Sequence, residues 1–467
     1  MKTLYTLLFI VFFYGPAFSQ TESNCEEPLN KMTALIERDY PGFTEKTKDK
    51  ILYNYLKNNL TEKSKATDGK KCMPLLQEYL SFFRDSHLFF LGQASYLKTS
   101  KAEKKENIRI DKKLLASVSR SSDSLEGIWK NENFKIGIVK KKNRSYQGFI
   151  ITSIDSTRKP GDILFTMDDK KQLKYINKDL TVYEDNYQLK DASTLFFLKI
   201  RSYFIKDNPD KKEATEIKDN INKLLGFSVE KLTSKTTYIK LKGFDYPFVS
   251  RIKELIDANK ALIEVSENLI IDLRDNGGGT TNAFEPLLPY IMTGKTRSMN
   301  NEFWISEFFI SGLENYLKKL PDDKKNQAER EDLSSRLEFY KKNRGKFVLN
   351  PGTKKAETHT FEPLIKSPAQ IIFLVNNKVG SSAESLLMLA KQSKKVKLMG
   401  TPSQGLLDYA NAYMSGYEYD GLPLIIPTYR SLRLPAYPVD NIGIQPDIFL
   451  DSSAGDWIQS AIEYVEH

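Results

Sequence analysis

Cysteine and histidine are scarce. Two cysteines and three scattered histidines in 467 residues give no metal-ligand spacing, so no metal is expected, and no organic cofactor is implied either. Long apolar runs are scarce too. After Leu4–Tyr14 no segment is long and apolar enough to cross a bilayer. The one glycine cluster lacks the G-x-G-x-x-G spacing of a dinucleotide site and the Gly-Lys-Ser/Thr of a Walker loop. The charge balance is basic, with 70 lysines and arginines against 60 acids. The lysines are interspersed with acids, as in "KAEKKENIRIDKK", and no aromatic-and-basic recognition motif accompanies them. This excess reads as a solvated surface, and no nucleic acid partner is expected.

What is present begins with "MKTLYTLLFIVFFYGPAFSQ". Lys2, the apolar stretch and Ala17-Phe18-Ser19 form a secretory leader over residues 1–19, cleaved after Ser19. The mature chain is then exported, periplasmic or secreted, with no membrane span. It keeps Cys25 and Cys72, an even count that an oxidising compartment allows to pair as one disulfide.

Residues 20–120 form an N-terminal helical region. "LNKMTALIERDY", "KTKDKILYNYLKNNL" and "CMPLLQEYLSFFRDSHLFFL" carry apolar residues at helical spacing, and 96–120 is a charged connection. Residues 121–227 are β-rich, in short alternating runs broken by Asn, Ser, Gly and Pro. Gly127-Ile128-Trp129 suits the first strand of a small antiparallel barrel or sandwich, while "KPGDILFTMD" faintly resembles a PDZ segment. A barrel with a cavity would allow a binder of apolar small molecules. Residues 228–467 alternate apolar strands with helices, an α/β core with covered strands, interrupted near 300–350 by a charged helical insertion.

Two stretches of the core carry chemistry. In "LIIDLRDNGGGTT" a strand ends and three glycines, Gly277 to Gly279, follow; such a loop turns amides toward a phosphate or an oxyanion, or is a structural turn. In "NKVGSSAESL" a serine stands between an apolar strand and a helix, where amides and the helix dipole stabilise a nucleophile and an oxyanion. A serine there is also a common helix cap.

Together, "NLIIDLRDNGGG" and "IIFLVNNKVGSSAESLLMLAKQSKKVKLMGTPSQG" resemble the S41 serine peptidases, which include the carboxyl-terminal processing proteases and the tricorn core protease. The resemblance covers about 230–450, with a further match near 80–90. It implies an S41-like α/β core and Ser381 as nucleophile, three positions before Glu384. It also implies an oxyanion hole from the amides of Ser382 and of Gly277 or Gly278. The processing branch uses a lysine as base; here "TPSQGLLDY" puts Leu406 at that position, and leucine cannot accept a proton. The tricorn branch uses a Ser-His pair and a late glutamate. "FFRDSHLFF" supplies Ser86 and His87, and "PVDNIGIQPDIFLD" puts Asp440 at the glutamate position. His87 is then the general base, oriented by Ser86 and Asp440. The expected function is an exported peptidase that cleaves peptides or unfolded proteins through an acyl-enzyme. The alternative is a catalytically inactive S41-like protein that binds a peptide or ligand.

Overall fold

The computed structural model describes residues 24–91, 98–101, 106–141, 144–177, 180–190, 192–207, 211–324, 326–362 and 364–467. The expected leader lies outside them. The chain forms two compact units, one of residues 94–228 and one of the remainder. The N-terminal helices therefore share a unit with the α/β core rather than standing apart from it. One cause is pairing across the chain: Phe89–Phe90, the strand that follows the helices, is antiparallel to Leu422–Ile426.

Four helices open this unit: α1 (Glu26–Asp39), α2 (Phe43–Lys46), α3 (Lys50–Ala66) and α4 (Met73–Phe82). The apolar face of α1 buries Leu29, Met32 and Ile36, and α4 buries Leu75, Leu76, Tyr79 and Leu80 against it. Asp49 caps α3 by accepting from Leu52 N–H at 2.9 Å. Cys25 and Cys72 are joined by a disulfide. They are the residues immediately before α1 and α4, so the bond ties two helix starts together.

The core sheet has six strands in the spatial order Phe227–Lys231, Thr236–Leu241, Asn268–Asp272, Gln370–Val375, Val396–Gly400 and Ile448–Phe449. The pairings from Thr236–Leu241 onward are parallel. Asn268–Asp272 is buried along its whole length, as a strand covered on both faces requires. Asp272 lies level with Leu374 on the neighbouring strand, so the loops after these strands emerge side by side. The insertion holds the helices Glu307–Lys319 and Gln327–Lys342, packed on their own cluster of Ile305, Phe309, Ile310, Leu337 and Tyr340.

The other unit is a barrel, not a PDZ fold. Its sheet has nine strands. Those from Gly127–Lys130 to Ser202–Lys206 each pair antiparallel with the next, and Ser202–Lys206 returns to pair with Gly127–Lys130, closing the ring. It also starts earlier than the composition suggests: within the expected connection, Lys98–Lys101 joins the sheet and Lys112–Ser119 is a helix. The segment around Gly161 and Asp162 is a tight turn, with Asp162 Oδ2 accepting from Lys159 N–H at 2.9 Å. Trp129 is fully buried and donates its Nε1–H to Leu125 O at 3.0 Å. Phe165, Phe197 and Phe204 meet at ring-centroid distances of 5.0, 5.7 and 5.9 Å and fill the interior. A packed interior leaves no room for the apolar ligand that the sequence allowed.

Candidate active site

The site stands at the carboxyl ends of the two central strands, where open α/β sheets place ligands. After Asn268–Asp272, the buried Asp272 carboxylate takes the Arg274 guanidinium at 2.9 and 2.6 Å and the Tyr238 hydroxyl at 2.8 Å. This fixes the start of the glycine loop. Asn276 does the rest. Its Nδ2 donates to Leu241 O at 2.9 Å, its Oδ1 accepts from Gly278 N–H at 3.0 Å, and its carbonyl accepts from Gly380 N–H at 3.0 Å. The last bond joins the glycine loop to the serine loop.

Ser381 follows Gly380 with φ 52° and ψ −123° and precedes the helix Ser382–Ala390. A non-glycine residue in such backbone costs roughly 1–3 kcal/mol and is held only by its surroundings. Glu384 supplies much of that hold. It is fully buried, and its Oε2 accepts from Ser381 N–H at 3.0 Å and Leu406 N–H at 2.8 Å. Its Oε1 accepts from Ser403 Oγ at 2.5 Å and Gly405 N–H at 2.6 Å. Burial pushes its proton affinity up, and these four bonds oppose that. In the sequence Glu384 served only as a landmark for the serine; its place in the network is visible only in three dimensions.

Gly278 lies against the serine turn. A Cβ there would sit 2.6 Å from Gly380 O and 2.8 Å from both Ser381 Cβ and Ser382 N. Its own amide is engaged by Asn276, so of the two expected glycine donors Gly277, which is exposed, is the one left to face a ligand. Ser382 N–H is the first amide of its helix and has no intrahelical acceptor.

His87 stands in the turn after α4. Its main-chain N–H donates to Asp85 Oδ1 at 2.8 Å, and its Nδ1 is 2.8 Å from Tyr409 O. A carbonyl can only accept, so Nδ1 carries a proton, and in the neutral ring the lone pair is then on Nε2. Ser86 is exposed, and Asp440 bonds to Asp408 instead of to Ser86 or His87. Asp440 and Asp408 exchange bonds: Asp440 Oδ1 accepts from Asp408 N–H at 2.9 Å, and Asp408 Oδ2 accepts from Asp440 N–H at 2.9 Å. Asp440 thus fixes the residue before Tyr409, whose carbonyl holds the imidazole. Burial, then Asp85 and Asp408, push the Asp440 carboxyl up to about 8.

The segment Ser403–Ala410 therefore joins the two halves of the site: Ser403, Gly405 and Leu406 meet Glu384 and the serine turn, and Tyr409 meets His87. Leu406 is buried, and its Cδ1 would lie 2.9 Å from a Cβ on Gly380. Two of the lysines near in sequence are engaged elsewhere, Lys391 with Asp447 at 3.0 Å and Lys395 with Ile365 O at 2.9 Å. His359 is 2.7 Å from Ser298 Oγ on another strand pair. Among the described residues no group of three or more His, Cys, Asp or Glu is placed to hold a metal ion.

Residues 235–450 match the profile of peptidase family S41. The chain carries a family S41 peptidase domain. It is accordingly a serine-type peptidase, a hydrolase. Its overall fold is similar to mature CPAF complexed with lactacystin, at a TM-score of 0.49 and 12% identity over 95% of this chain and 97% of that one. It is also similar to the photosystem II D1 C-terminal processing protease, at 0.36 and 12% over 91% and 93%. The tricorn protease scores 0.33 at 12% identity, over 84% of this chain and 32% of that one. No curated protein matches the chain by sequence. No helix among the described residues is long and apolar enough to cross a membrane.

Proposed function

We propose that this S41 peptidase is exported and cleaves peptides or unfolded proteins through an acyl-enzyme on Ser381, with His87 as general base. The observation that carries the reading is the 2.8 Å contact of His87 Nδ1 with Tyr409 O, because it leaves Nε2 as the proton acceptor. Nε2 takes the proton of Ser381 Oγ as Oγ bonds to the scissile carbonyl carbon. The carbonyl oxygen becomes an oxyanion, met by Ser382 N–H and Gly277 N–H. His87 then gives its proton to the leaving amine, the C–N bond breaks, and water repeats the sequence to free the acid. Asp440 acts at a distance, through Asp408 and the Tyr409 carbonyl; Ser86 sits at the exposed rim. The supports for export are the leader pattern at 1–19 and the Cys25–Cys72 disulfide.

The test is labelling of the mature protein by a serine-directed phosphonofluoridate, with peptide mapping. Wild type is expected to carry one adduct, on Ser381. Ser381→Ala removes it and lowers kcat about ten-thousandfold; His87→Ala slows both labelling and turnover. An adduct elsewhere, or one independent of His87, would sink the assignment. A folded protein that binds peptide without labelling or hydrolysis would favour the inactive binder. N-terminal sequencing that finds Met1 instead of Gln20 would remove the export step.

A further inference from the structure

Three carboxylates, Asp85, Asp408 and Asp440, gather behind His87, all buried. Asp85 accepts from Tyr40 OH at 2.7 Å and from the His87 main chain. The arginines nearby already have acids: Arg433 stands 3.3 Å from Asp408 Oδ1, and Arg430 pairs with Glu45 on α2 and, at 2.7 Å, with Glu302. Asp440 Oδ2 is buried and accepts no hydrogen bond among the described residues. A cation stands beside it: Lys46, the last residue of α2, whose Nζ is 3.8 Å away. The same ammonium lies 5.3 Å from the centroid of the Tyr409 ring.

We propose that Lys46 is a positioning residue of the peptidase site, the cation that holds the Asp440 carboxylate and the Tyr409 main chain where they present His87. The inference rests on the reading of His87 as the base. An unpaired buried carboxylate is costly, and removing one partner of a buried pair exposes that cost. Burial favours protonation of Asp85 and of Asp440, Asp85 and Asp408 add to it for Asp440, and Lys46 acts the other way on both. An ionised Asp440 accepts a stronger bond from Asp408 N–H, one residue before Tyr409. The cation–π contact bears on Tyr409 itself. Lys46 thus reaches His87 by two routes through neighbours.

The test reads the Nδ1-bound proton of His87 by nuclear magnetic resonance in wild type, Lys46→Met and Lys46→Arg, with His87→Ala to assign the signal. Only three histidines compete for assignment. Lys46→Met is expected to speed exchange of that proton with solvent about tenfold, while Lys46→Arg keeps it near wild type. In a peptide-cleavage assay the acid limb of kcat/KM moves to higher pH in Lys46→Met, with a drop of about tenfold at a fixed pH on that limb. Lys46→Gln replaces Lys46→Met if the latter fails to fold. Exchange within about twofold of wild type in a folded Lys46→Met, or Lys46→Arg behaving like Lys46→Met, overturns the proposal. Wild type without any hydrolysis would count against the peptidase reading alone, because the proton is observed without substrate.

Discussion

Gly278 shows how little freedom the site has at the level of single residues. Its φ is 94°, and any side chain would press on Gly380 O, Ser381 Cβ and Ser382 N. Gly278→Ala is expected to lower stability by about 1–3 kcal/mol and to abolish labelling of Ser381, read by denaturant unfolding and by intact mass. A variant as reactive as wild type would show that the serine turn can yield. Glu384→Gln replaces one of the acceptor oxygens by a donor facing amides that also donate. It is expected to cost about 1–3 kcal/mol and to reduce kcat. The expectations for Ser381, His87 and the glycines could be written from the sequence because each sits in a short motif. The partners were less legible. Asp440 was expected from its motif, but its bonds run to Asp408, and what meets the His87 ring is a main-chain carbonyl, which leaves no mark in a sequence.

Elements were legible where their order is local. The helical spacing of "LNKMTALIERDY" and "CMPLLQEYLSFFRDSHLFFL" gave α1 and α4, because an amphipathic face repeats within a few residues. The barrel was harder, since its closure depends on Ser202–Lys206 meeting Gly127–Lys130, far apart in the chain. Local alternation is the same in an open sheet and a closed one. The disulfide belongs to this scale. It spans 47 positions between two helix starts, so its loss frees a long loop in the unfolded chain. Replacing both cysteines by serine is expected to cost about 2–4 kcal/mol and to lower Tm, with α3 and α4 losing amide protection first. Unchanged thermal unfolding would place the helices' stability wholly in their apolar contacts.

For the whole molecule, acids held upward by burial set a pH dependence. Asp440 is raised to about 8, and Asp85 and Glu384 are raised as well. A carboxyl with a raised folded-state value binds its proton more tightly folded than unfolded. Stability is therefore fullest below the ordinary carboxylate range and falls as pH rises toward the raised value. For Asp440 that window runs from about 4 to about 8, with a slope of up to about 1.4 kcal/mol per pH unit. Asp440→Asn is expected to flatten the fall, measured by urea unfolding across this range; an equal slope in both proteins would remove Asp440 as its source.

The closed barrel bears on how its sheet can meet another chain. Peptide-reading modules of the PDZ kind hold a chain by adding it as one more strand to an open sheet edge. In this ring every strand from Gly127–Lys130 to Ser202–Lys206 already has a partner on each side, so an incoming backbone finds its donors and acceptors in use. Main-chain addition is closed to that ring, and the strand at the end of the sheet order is Lys98–Lys101, whose one strand partner among the described residues is Thr181–Lys190.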